Sequence, residues 1–140
     1  MPRQLRFSSA IALAVLFACL AHHGASGALP ADASFQHIMT DQGMADVTVE
    51  PGHTGVASVT IGLWDEDENP LKVQEVTLTL TPPVPGRQSI TRAALLDADG
   101  LWQVNGIELS QSGNWMVTVR ALLSQGKRLV LDGPIVIGPQ

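Results

Sequence analysis

The sequence predicts an all-β chain, an immunoglobulin-like β-sandwich of seven to eight short antiparallel strands. Three observations predict it. Apolar and polar residues alternate with a period of two in one segment after another. Turn-forming clusters such as Pro51-Gly52, Asp97-Ala98-Asp99-Gly100 and Gln125-Gly126 recur between those segments. No segment carries a convincing helical period, and several short strands with regular turn signals are the pattern of a sandwich.

The strands can be justified in order. Ala45, Val47 and Val49 alternate with Asp46, Thr48 and Glu50, and Pro51-Gly52 ends the run. Ala57, Val59, Ile61 and Leu63 form the next inward face, closed by the polar turn Asp65-Glu66-Asp67-Glu68-Asn69-Pro70. Val76, Leu78 and Leu80 alternate with Glu75, Thr77 and Thr79. Pro82-Pro83-Val84-Pro85-Gly86 must be a loop, because proline cannot donate to a ladder. Ser89 to Leu96 reads as one strand and Asp97 to Gly100 as a hairpin turn. Leu101 to Val104 and Ile107 to Leu109 follow, interrupted by Asn105-Gly106. Trp115, Val117, Val119 and Ala121 then share a face. Arg128 to Leu131 and Ile135 to Ile137 finish the domain around Gly133-Pro134. Trp102 and Trp115 are the expected large core residues, with Trp64 half exposed at the lip of the acidic turn.

The 140 residues make one domain once the N-terminus is set aside. Arg3 and Arg6 precede an apolar run from Ile11 to Leu20, and small residues follow from Ala21 to Ala28. Basic, apolar and small in that order is a secretory signal peptide. The run is shorter than the roughly 18 residues of a membrane span. Residues 1–27 are therefore expected to be the signal peptide, with cleavage between 21 and 28. Residues 28–34 form a short tail and residues 35–140 the sandwich. A periplasmic or secreted location follows, with an uncleaved membrane anchor as the lesser alternative. Cys19 is the only cysteine, so the exported domain has no disulfide. Cleavage after Ala21 would place His22 at the new N-terminus, where amine and ring together chelate Cu(II). The formal charge is −5, and it becomes more negative when Arg3 and Arg6 leave, since no acid lies before Asp32. Such an acidic domain does not suggest nucleic acid or an anionic membrane surface as partner, and it is compatible with cations.

Chemistry concentrates between His37 and His53. The stretch holds two histidines and two of the four methionines. Imidazole and thioether are borderline and soft ligands that together suit copper, above all Cu(I). If Phe35 to Thr40 is extended, His37 and Met39 point to one face with Cα atoms roughly 6.5 to 7 Å apart. Asp41-Gln42-Gly43 can turn the chain and return Met44, which has the parity of the polar face. The predicted ligands are His37, Met39 and Met44, with His53 or Asp46 as the fourth. The opposing assignment makes Met39 a core filler, a common use of methionine, and His37 a surface residue. Asp65 to Glu68 reads as a solvated turn, since a calcium loop needs six to eight ordered oxygens. No His-Glu-x-x-His helix, phosphate loop or catalytic triad frame is present, so an enzyme is not expected.

Several phrases carry a resemblance. They are His37-Ile38-x-Thr40-Asp41-x-x-Met44-Ala45-Asp46-Val47-Thr48, then Pro51-Gly52-x-x-Gly55, Glu75 to Leu80, Ile90 to Ala93, Asp99 to Val104 and Gly113 to Val117. Together, across roughly Phe35 to Ile137, the chain resembles the soluble C-terminal domain of CopD-type copper resistance and transport proteins, related to YtkA-like domains. The resemblance implies an extracytoplasmic β-sandwich linked to copper handling. In that family the domain follows membrane helices, so a transport role here implies a membrane copper transporter or other envelope protein as partner. The family opening often reads His-x-His. Met39 replaces the second histidine, which favours a Cu(I) ligand set over a Cu(II) one. The competing class is a metal-free structural or protein-interaction sandwich, working through a strand edge or Trp64.

Overall fold

The computed structural model describes residues 29–140. The expected signal peptide and its cleavage point, with Cys19, His22 and His23, lie outside the described residues. Among those described, the alternating segments form nine strands and no helix. They are β1 (Ser34–Thr40), β2 (Gly43–Glu50), β3 (Gly55–Trp64), β4 (Val73–Thr81), β5 (Ile90–Ala93), β6 (Leu95–Leu96), β7 (Trp102–Leu109), β8 (Gly113–Leu123) and β9 (Arg128–Ile137).

The strands build two antiparallel sheets, ordered β1-β2-β3-β7-β6 and β5-β4-β8-β9. The inner parts, β2-β3-β7-β6 and β4-β8-β9, follow the two-sheet strand order of an immunoglobulin-like sandwich. The additions are β1 outside β2 and β5 beside β4. Alternation fixes which face is buried: Ala45, Val47, Val49, Val59 and Ile61 from one sheet meet Leu78, Leu80, Val117, Val119 and Leu131 from the other. Trp115 is buried among them and donates its Nε1–H to the Gln111 carbonyl at 3.0 Å. Trp102 is also buried, and Trp64 is half exposed, as the sequence predicts.

Three segments differ from their predicted form, each for a local reason. Asn105-Gly106 does not interrupt a strand. The β3–β7 register shifts between Ala57 and Val59, and Gly106 adopts a left-handed φ of 69°. The result is a bulge that lets Val104 and Ile107, three apart, both face inward. Gly133-Pro134 likewise lies inside a continuous β9. β9 is an edge strand, where proline is tolerated because alternate N–H groups point away from the partner. Ser89 to Leu96 changes sheets: β5 pairs with β4, β6 with β7, and the buried Ala94 sits at the crossing with its N–H on the Val76 carbonyl. This split, together with β1, raises the count to nine.

At one corner the sheets meet. Ser34 Oγ donates to the Val136 carbonyl, and a Cβ on Gly133 would lie 2.8 Å from Ile38 Cγ1. The missing side chain of Gly133 is what lets β1 lie against β9.

The turn before β7 is fastened by Asp97. Its Oδ1 accepts the N–H groups of Asp99 and Leu101, both at 2.9 Å, and its Oδ2 accepts Gln103 Nε2 at 3.0 Å. Gln103 Oε1 accepts in turn from Thr60 Oγ1 on β3 at 2.9 Å. The Gln103 hydrogen bond, then that of Leu101, hold the Asp97 carboxyl below its ordinary value of 3.8, against a smaller opposing effect of desolvation. A carboxyl depressed in the folded state stabilises the fold above its unfolded pKa, and that contribution is lost as pH falls through the folded pKa. Asp97→Ala should therefore lower the thermal midpoint at neutral pH. The gap to the wild type should narrow steadily below about pH 5, as followed by circular dichroism.

Candidate metal centre

The β1–β2 hairpin builds the site. Its register places His37 opposite Asp46 and Met39 opposite Met44. β3 continues both rows, with Gly62 opposite Asp46 and Trp64 opposite Met44. Two cross-strand rows result, His37–Asp46–Gly62 and Met39–Met44–Trp64. Directly opposed residues in such rows have Cβ atoms roughly 4.5 to 5.5 Å apart.

The face is the outer one. Ala45 and Val47 point into the core, so Met44 and Asp46 must point away from it, and Ile38 is buried while His37 and Met39 are exposed. Met39 is 68% exposed, which settles it as a surface residue and not a core filler. The side chains of His37 and Asp46 are 43% and 34% exposed. His37, Met39, Met44, Asp46, Trp64 and Glu68 together line one shallow groove of about 350 Å³.

Within it His37 Nδ1 contacts Asp46 Oδ1 at 2.5 Å. In the neutral ring this contact puts the proton on Nδ1 and leaves Nε2 with the lone pair that a metal ion uses. A carboxylate behind a histidine in this way fixes the orientation of the ring. The donors in the groove are thus one imidazole nitrogen, two thioethers and the carboxylates of Asp46 and Glu68. Among the described residues no three His, Cys, Asp or Glu side chains converge as a metal cluster. The thioethers make the difference: a His/Met/Met set fits a soft monovalent ion such as Cu(I) and is a poor match for hard divalent ions.

The predicted residues divide cleanly. His37, Met39 and Met44 are brought together, and Asp46 joins them behind His37. His53 does not. It lies beyond Glu50, at the end of β2 roughly 20 Å from Met44 at a strand's rise per residue. There it bridges to Gly138, and its Nδ1–H donates to the Thr54 carbonyl at 2.9 Å. Pro51-Gly52 carries the chain off the sheet before His53, so the strand alternation that aligned the other ligands does not extend to it. Met116 is on the other sheet, opposite Pro134, away from the groove.

Two groove residues were not predicted as site residues. Glu68 belongs to the acidic turn, which Asp65 closes by accepting the N–H groups of Asp67 and Asn69 at 2.9 Å. Glu68 takes a left-handed φ of 62° there, and the folded-back turn brings it beside Trp64. Trp64 shares the parity of Thr60 and Gly62, the outward face of β3. A large aromatic on a polar face beside the methionine row was the available signal. Compared with models of known protein families, with curated proteins and with solved structures, the chain matches none of them.

Proposed function

We propose that this chain is an exported copper-handling domain. It binds Cu(I) reversibly in the His37/Met39/Met44 groove and delivers it to a membrane copper transporter or another envelope protein. The observation that carries the reading is the β1–β2 register, with three soft or borderline donors in two adjacent cross-strand rows on an open face. The motifs from His37 to Thr48, which resemble the CopD-type C-terminal domain, point the same way.

The chemistry is ligand exchange. Thioethers are neutral, so a bound Cu(I) keeps its charge and stays attractive to a partner's donors. Met39 is the most exposed of the three proposed ligands and the one an incoming ligand reaches first. Asp46 holds His37 in place while Met39 is displaced, so the ion is shared between two proteins during transfer and is never released as a free hydrated species.

A second reading has one observation in its favour. Leu95 and Leu96, on the two-residue edge strand β6, are 75% and 58% exposed. Apolar residues side by side on a sheet edge suit a metal-free interaction domain.

An anaerobic competition titration with Cu(I) separates the two. The wild type should bind one equivalent, and the His37→Ala/Met39→Leu/Met44→Leu variant should bind none at the same chelator strength. Absence of binding by the wild type would leave the interaction domain. In the same assay Asp46→Ala should weaken Cu(I) by about 10- to 100-fold, the usual effect of removing a histidine's carboxylate partner. Its thermal midpoint should stay near that of the wild type.

A further inference from the structure

We infer that the Trp64 indole is itself part of the cation site: its ring face contacts the bound ion and makes the groove selective for a monovalent soft cation. The inference rests on the copper-binding reading and names a residue that the ligand set alone does not require.

Gly62 carries the argument. It is buried although it lies on the outward face of β3, because the indole covers it. A Cβ built on Gly62 would be 2.8 Å or less from three carbons of the Trp64 six-membered ring. The ring therefore lies folded back along its own strand, in the space where the next outward side chain would stand. That space is the end of the His37–Asp46 row. The root of the side chain meanwhile stands opposite Met44 in the other row. Trp64 thus spans both rows, with its indole in the wall of the groove that holds the three donors.

A tryptophan face is the strongest natural π partner for a cation, and the attraction grows when water is excluded. An aromatic wall also differs from a fourth ligand in a useful way. It offers charge stabilisation without a lone pair, so an ion content with three donors gains. An ion that needs four to six ligands loses a coordination position to an apolar surface. Cu(I) and Ag(I) are of the first kind and Zn²⁺ of the second.

The test uses the purified protein with Ag(I), a redox-stable stand-in for Cu(I), and with Zn²⁺. Trp102 and Trp115 are buried in the core, so a tryptophan emission change on binding reports Trp64. The wild type should show an emission change that saturates at one equivalent of Ag(I). Trp64→Leu should lose that change and bind Ag(I) between about two- and thirtyfold more weakly, the range of a cation–π contact. Its weak affinity for Zn²⁺ should not fall. Gly62→Ala keeps the indole and displaces it, so it should reproduce the loss with an unaltered far-ultraviolet spectrum, and it decides the matter should Trp64→Leu fail to fold. Stoichiometric Ag(I) binding by the wild type with no emission change, or undiminished affinity in both variants, would make Trp64 a packing residue and overturn this inference alone. Failure of the wild type to bind Ag(I), or binding that persists in the His37/Met39/Met44 variant, would overturn the groove as a copper site and this inference with it.

Discussion

The pairing register of the β1–β2 hairpin is the constraint on which the rest depends. Side chains alternate across a strand with a period of two, so a slip of one residue would move a whole set from one face to the other. Here such a slip would carry Met44 and Asp46 into the core and Ala45, Val47 and Val49 into water. Burial of apolar surface contributes about 25 cal/mol per Å², and Ala45, Val47 and Val49 are fully buried. The core thus enforces the register, and the register assembles the groove. The donors contribute little to the stability that positions them. A site made this way can have its ligands exchanged or lost without loss of the fold.

The sandwich treats its two open sides differently. On one side β1 and β9 close against each other, with Gly133 giving room to Ile38 and Ser34 reaching the Val136 carbonyl. That closure anchors β1, which would otherwise be an edge strand held by β2 alone, and β1 supplies His37 and Met39. On the other side the chain crosses between sheets at Ala94. β6 covers only Trp102 and Gln103 of β7, so among the described residues the rest of that edge pairs with no strand. The groove and the Leu95–Leu96 edge are at opposite ends of the β1-β2-β3-β7-β6 order, so a partner docked on one leaves the other accessible.

Most of the fold was legible because most of it obeys one rule. Where alternation is regular, from Ala45 to Glu50 and from Trp115 to Ala121, sequence and strand coincide. It misled where a strand breaks its own period and continues. The Asn105-Gly106 bulge resets the parity of β7, and Gly133-Pro134 survives inside β9 only because β9 is an edge, which depends on strand order and not on local residues. The site was legible to the same extent. His37, Met39, Met44 and Asp46 follow from parity and a short turn. His53 was grouped with them by proximity in sequence, and the departure of the chain at Pro51-Gly52 sends it to the far end of the sheet. Trp64 and Glu68 come from β3 and its turn, twenty residues or more beyond Met44, and only the third strand's register brings them in. Gly62 has no side chain with which to announce a role.

The location of the groove argues for exchange over storage. A buried site would hold its ion more tightly, since water and competing ligands would be kept out, but a partner's ligands would be kept out too. On this outer face Asp46, His37 and Met39 are within reach of a second protein, with exposures of 34%, 43% and 68%. Asp46, which orients the ring, is more sheltered than His37, and His37 is more sheltered than Met39. An ion held by such a gradient can be gripped by an incoming donor before the last outgoing one departs. The aromatic wall completes that logic. It covers the side of the groove toward β3 and leaves the β1 side, where Met39 stands, as the direction of approach. Under the proposed copper reading, transfer would proceed at the hairpin edge, through the strand that packs against β9 of the second sheet.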